Sequence, residues 1–103
     1  NPLDYIDRFC SKLNIPIDLK YIAEIVSIKA ITSIYNIVND NTSPSISAGS
    51  IYFVCLLYSY TITKKQISDV SKISEVTISK CYKKLNMYKK YLLPKTILQE
   101  LNL

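Results

Sequence analysis

The chain has no histidine, no tryptophan, one glycine, four prolines and three cysteines among its 103 residues. Each scarcity excludes something. Without His, and without a Cys-x-x-Cys pair, the usual donor patterns of a zinc site cannot be assembled from these residues. A lone Gly49 cannot make a Gly-rich phosphate-cradling loop. One Gly and four Pro also fall short of the turns that a turn-dense β architecture needs. No nucleophile elbow and no carboxylate cluster is present, so the chain reads as a non-enzyme with no small-molecule substrate. Its longest apolar run, Ser47 to Tyr60, is about 14 residues, too short to span a bilayer and suited to a buried helix. No basic segment followed by an apolar core marks a signal peptide, and no membrane partner is expected. Cys10, Cys55 and Cys81 are odd in number and far apart, as in reduced, buried thiols of an intracellular protein. The first residue is Asn1 rather than Met, so the chain is expected to be a fragment of a longer protein, with residues 1–103 forming one domain.

What is present is hydrophobic content, 49% of residues, arranged with helical periodicity. Pro2 suits a first helical position, and Leu3, Ile6, Phe9, Cys10 and Leu13 recur at helical spacing, predicting a helix over 3–13. Asn14-Ile15-Pro16 breaks it. A second helix is expected from Asp18 to about Asn39. Ile22, Ile25, Val26, Ile28, Ala30, Ile31, Ile34, Ile37 and Val38 cover more than one face, so this helix should be largely enclosed. Asn39 to Pro44 is a polar loop. Ser45 to Tyr58 forms a third helix whose Ser47, Ala48, Gly49 and Ser50 are small enough for close helix approach, the mark of a central helix. Gly49 there costs about 1 kcal/mol relative to Ala, which packing must offset. Thr63 caps a helix over Lys64 to Ser71, Ser74 caps the next to about Met87, and Pro94 to Leu101 closes the chain. The expectation is an all-α bundle of five or six helices.

Charge is unevenly placed. Residues 1–63 carry a net −1, residues 64–95 a net +7 and residues 96–103 a net −1. So dense a basic segment usually meets a polyanion. Within it, Ile67 to Lys80 has helix-turn-helix spacing. Ile67, Val70 and Ile73 bury the first helix and the turn, and Ile78, Cys81, Tyr82 and Leu85 bury the second. At about 100° per residue, Val76, Ser79, Lys80 and Lys83 then fall on the outward face, where a major groove would receive them. Lys64 and Lys65, with Thr77 and Lys84, are candidates for the DNA backbone. Lys72 stands where such motifs carry a Gly in left-handed conformation, at a cost of about 1 kcal/mol. Two amphipathic helices bearing lysines also describe an ordinary solvated face; the +7 segment favours nucleic acid. Tyr82, Tyr88 and Tyr91 read as core or rim packing rather than as base-stacking platforms.

Arg8-Phe9-Cys10-Ser11-Lys12-Leu13, Ala48-Gly49-Ser50-Ile51-Tyr52, Thr63-Lys64-Lys65-Gln66-Ile67, Glu75-Val76-Thr77-Ile78 with Tyr82, and Leu93-Pro94 occur in an order and spacing that resemble the second cyclin-like repeat of general transcription factor IIB. The resemblance implies a cyclin-like bundle around a central small-residue helix, with an embedded helix-turn-helix. It implies a nuclear initiation factor (cytoplasmic if archaeal or viral) whose partners are double-stranded promoter DNA, TATA-binding protein and the RNA polymerase II machinery. A zinc ribbon is expected only in a more N-terminal part, with no cofactor in this one. In that family a Val and an Arg of the recognition helix read a G/C-containing element upstream of TATA. Val76 matches the Val, and Ser79 stands at the position of the Arg. A serine makes one hydrogen bond where Arg makes two, so phosphate-driven binding with poor preference for the G-containing element is expected. Asp40-Asn41 stand where the family often has Gly followed by Arg or Lys, which removes a basic contact. Two other readings remain: a cyclin-like protein-interaction module, regulating a kinase or serving as an adaptor, and the related subunit of the RNA polymerase III factor.

Overall fold

A computed structural model describes all of residues 1–103. Seven helices and no strand form the chain: α1 Pro2–Leu13, α2 Ile17–Thr32, α3 Ser43–Leu57, α4 Lys64–Ser71, α5 Glu75–Met87, α6 Lys89–Leu92 and α7 Lys95–Glu100. Local chemistry accounts for most boundaries. Asn1 caps α1 by accepting from the Leu3 N–H, Pro2 occupies the first turn, and Asn14 ends the helix in left-handed conformation. Thr42 accepts from the Ser45 N–H at 3.4 Å to open α3. Thr63 and Gln66 cap α4 reciprocally, the Gln66 N–H donating to Thr63 Oγ1 at 3.1 Å and the Thr63 N–H to Gln66 Oε1 at 2.8 Å. Ser74 Oγ accepts from the Thr77 N–H at 3.2 Å to start α5.

The second helix stops seven residues before the expected Asn39. Ser33 is extended, with ψ at 144°. On either side, the Thr32 hydroxyl donates to the Ile28 carbonyl and the Ser33 hydroxyl accepts from the Tyr35 N–H. Such hydroxyls offer the backbone partners that compete with the helical ladder. Asn36 then takes a positive φ of 52°, and the turn drops Ile37 and Val38 into the core. The helix is also not enclosed. Leu19, Ala23, Val26, Ser27 and Ala30 are buried, whereas Ile25, Ile28 and Ile31 are each nearly half exposed and Ile34 is 85% exposed. Small residues bring one face of α2 close to α3, and the isoleucines are left on the other. A further difference is α6, a single turn that the interruption at Tyr88 separates from α5.

The centre of the bundle is α3, packed by α1, α2, α4 and α5. Every residue from Ser45 to Ile51 is buried, as are Phe53, Val54 and Cys55. The small face does what its composition suggests: a Cβ added at Gly49 would meet Cys81 of α5. Close approach at that point seats α5 on the core through Ile78, Cys81 and Leu85, all fully buried, and thereby turns its opposite face to solvent.

Candidate nucleic-acid interface

The α4–turn–α5 unit is held from beneath and left bare above. Ile67 is fully buried, and Val70 and Ile73 pack against the core. Lys72 adopts φ 64° and ψ 20° at the end of α4, the left-handed conformation anticipated there, with its N–H donating to the Ser68 carbonyl at 2.8 Å. Above this support Val76 is 63% exposed. Lys80 and Lys83 are exposed and enter no ion pair. The outward row of Val76, Ser79, Lys80 and Lys83 is therefore the one the periodicity assigns, with only Ser79 partly covered.

The cover over Ser79 is Lys64. Its Nζ donates to Ser79 Oγ at 3.0 Å, across 15 residues of chain. Expected on the DNA backbone, the Lys64 amine is instead drawn from the start of α4 onto the outward face of α5. Lys65 remains at the edge, in a 3.4 Å ion pair with Asp69 one turn on. Both partners are mostly exposed, so this pair adds little to stability and leaves the amine available to an anion.

The other two expected backbone contacts, Lys84 and Thr77, are engaged as well. Lys84 Nζ donates to Asp40 Oδ1 at 2.6 Å and to Asn41 Oδ1 at 3.0 Å. The Lys84 ammonium holds the Asp40 carboxyl below the usual carboxylate range. This lysine ties α5 to the loop before α3 and so departs from the role of a free phosphate contact. The same geometry gives the Asp40-Asn41 departure its partner. Thr77 takes part in the cap, its N–H donating to Ser74 Oγ and its Oγ1 accepting from Ser74 Oγ at 2.9 Å.

The tyrosines pack as expected. Tyr82 lies edge-on to Tyr52 with centroids 5.4 Å apart, and Tyr88 stacks on Tyr35 at 5.5 Å. Tyr91 meets Tyr35 edge-on at 5.1 Å and sits under the Lys29 amine. This cluster around Tyr35 is hidden from the helical periodicity, which runs past the end of α2 at Thr32. Cys10, Cys55 and Cys81 are buried free thiols, and burial pushes them up to about 12, about 11 and about 11. No group of three or more Cys, Asp or Glu lies together in a way that holds a metal, and no helix is long and apolar enough to cross a membrane.

The chain matches a known family and several known proteins. Residues 1–88 match the transcription factor TFIIB repeat family. The chain is 44% identical over 91 residues to the transcription initiation factor IIB of Dictyostelium discoideum, covering 88% of this chain and 27% of that protein. It is 32% identical over 85 residues to the factor of the same name from Methanothrix thermoacetophila, covering 82% of this chain and 25% of that one. With that of Methanothermococcus thermolithotrophicus it shares 29% over 85 residues, covering 82% and 24%. The chain thus spans about a quarter of the length of the curated relatives it matches.

Proposed function

The chain belongs to the transcription factor TFIIB repeat family, and from that we propose that it is the promoter-gripping repeat of a general transcription initiation factor. It lays α5 in the major groove upstream of a TATA element, contacts TATA-binding protein on that DNA and helps recruit RNA polymerase II in the nucleus. The observation that carries this reading is the outward row of α5. Val76, Lys80 and Lys83 stand exposed on a helix whose other side is locked into the core, and the lysines have no carboxylate partner. Burying the opposite face through Ile78, Cys81 and Leu85 fixes the helix orientation in advance, so the ordering cost on binding falls on the two lysine side chains and not on the backbone. Lys65 and the remaining lysines of residues 64–95 add positive potential along the same third of the chain.

A protein-interaction role has its own support, in the exposed Ile25, Ile28, Ile31 and Ile34 of α2 and the turn after it. It does not compete for the same surface, since α2 packs on α3 and lies apart from the outward row of α5. The two roles separate in a gel shift on a TATA-containing promoter, with and without TATA-binding protein. The promoter reading predicts a supershift that needs that partner and weakens steeply with salt. A chain that gives no shift in either condition, even at low salt, contradicts it and leaves the interaction module.

A further inference from the structure

Four side chains of α2, Tyr21, Ile25, Ile28 and Thr32, follow one another at steps of four, three and four residues. At about 100° per residue they fall within about 60° of arc and form one straight seam. All four are exposed, Tyr21 by 54%, Ile25 by 43% and Ile28 by 46%. The Thr32 hydroxyl donates to the Ile28 carbonyl at 2.9 Å, so the polar end of the seam already has its hydrogen bond. These steps are those of the core positions in a pair of supercoiled helices, and an apolar row left bare on a helix packed from its other side marks a surface that a second helix covers.

The flanks of the seam identify that helix. Glu24 and Lys29 lie about 70° to either side of its centre. Neither enters an ion pair within the chain, and the Lys29 amine rests over the Tyr91 ring at 4.9 Å. In two parallel helices, a residue flanking the seam of one meets the opposite flank of the other, about five residues further along. We propose that α2 pairs in parallel with α2 of a second copy of this chain, each Glu24 against the second copy's Lys29. Two-fold symmetry makes that ion pair twice. Ile17, 62% exposed, stands in the same relation to the partly buried Ile22, which adds an apolar pair on the flanks. A helix of a different protein has no need of a surface that complements itself. At the N-terminal end Asp18 continues the seam and faces its counterpart; the crossing of about 20° usual for such pairs opens the ends and separates the two carboxylates. The face is about 24 Å long for its 16 residues. An interface of one helix face falls below the standard range, which begins at about 1,200 Å², so the dimer is weak and reversible. The seam shares no residue with the outward row of α5 and stands whether or not that row meets DNA.

Sedimentation equilibrium of the chain at low salt, at concentrations up to about 1 mM, is the test. The wild-type chain shows a reversible rise from one chain towards two. Glu24→Lys and Lys29→Glu each turn both flanking pairs into like-charge pairs and weaken self-association roughly fivefold to 30-fold. An equimolar mixture of these two variants restores the wild-type association, because in the mixed dimer both pairs again join opposite charges. Ile28→Glu keeps the chain monomeric, and thermal melts establish that each variant is folded. A wild-type chain that stays monomeric up to about 1 mM overturns the proposal and leaves the seam to a different protein. A mixture that associates no better than its two components overturns the parallel register. A dimer indifferent to Ile28→Glu lies on another surface and overturns the proposal as well.

Discussion

A Cβ placed on Gly49 would sit 2.5 Å from Cys81 Sγ and 2.7 Å from Cys81 Cβ, so α3 and α5 meet where there is no room for a methyl group. This contact sets the depth at which α5 is seated, and through it the outward aim of Val76, Lys80 and Lys83. Gly49→Ala is expected to destabilise the fold by about 1 to 3 kcal/mol through overpacking, despite the better helix propensity of Ala. In a Cys81→Ala background the added cost is smaller, because the closest atom has gone. It does not vanish, because the Cys81 Cβ remains. Denaturant unfolding of the four chains of this double-mutant cycle checks the coupling.

Lys72, with a φ of 64°, is one of five non-glycine residues in the left-handed region. Gly accepts that conformation without the Cβ penalty, so Lys72→Gly should stabilise the domain by about 1 kcal/mol. A rise in the urea midpoint at unchanged slope is the expected result.

Two buried serines of α3 should respond in opposite ways. Ser47 Oγ lies 2.9 Å from both the Pro2 and Ser43 carbonyls, tying α1 to the central helix. Ser50 Oγ is buried without a hydrogen-bond partner. Ser47→Ala should cost about 1 kcal/mol, whereas Ser50→Ala should be neutral or stabilising, since it removes an unsatisfied hydroxyl. Thermal melts of the two variants decide it.

The three thiols supply a prediction in pH. Their folded-state values, about 12 for Cys10 and about 11 for Cys55 and Cys81, lie above the ordinary 9.0. Since burial raises the folded-state values, their contribution to stability is complete below pH 9 and is lost as pH rises from there through the folded-state values. Stability should decline above pH 9. At pH 8 the native chain should resist alkylation that proceeds rapidly once denaturant is added.

Much of this fold was legible in the sequence because its signals are local. Thr63 with Gln66, Ser74 with Thr77, and the small-residue run around Gly49 each act within one or two turns, and the expected helices α1, α3, α4 and α5 follow them closely. The end of α2 was not legible. The apolar pattern continues from Ile31 to Val38 without a Gly or Pro, and what stops the helix is a pair of hydroxyls at Thr32 and Ser33 that the pattern passes over. The outward row of α5 could be read because it is the complement of a buried stripe. Where the lysines go could not. Lys64 finds Ser79 15 residues away, and Lys84 finds Asp40 44 residues away. Such meetings depend on how helices dock, which periodicity within one helix does not contain.

The most direct test of α5 as a DNA-facing helix is the salt dependence of binding to a TATA-containing duplex, measured for the wild-type chain and for Lys80→Glu with Lys83→Glu. Each phosphate contact contributes about −0.9 to the slope of log affinity against log salt. The double variant should bind far more weakly, with a shallower slope, because two cations are replaced by anions on the DNA-facing surface. Equal affinity and an equal slope for the two chains would contradict the account.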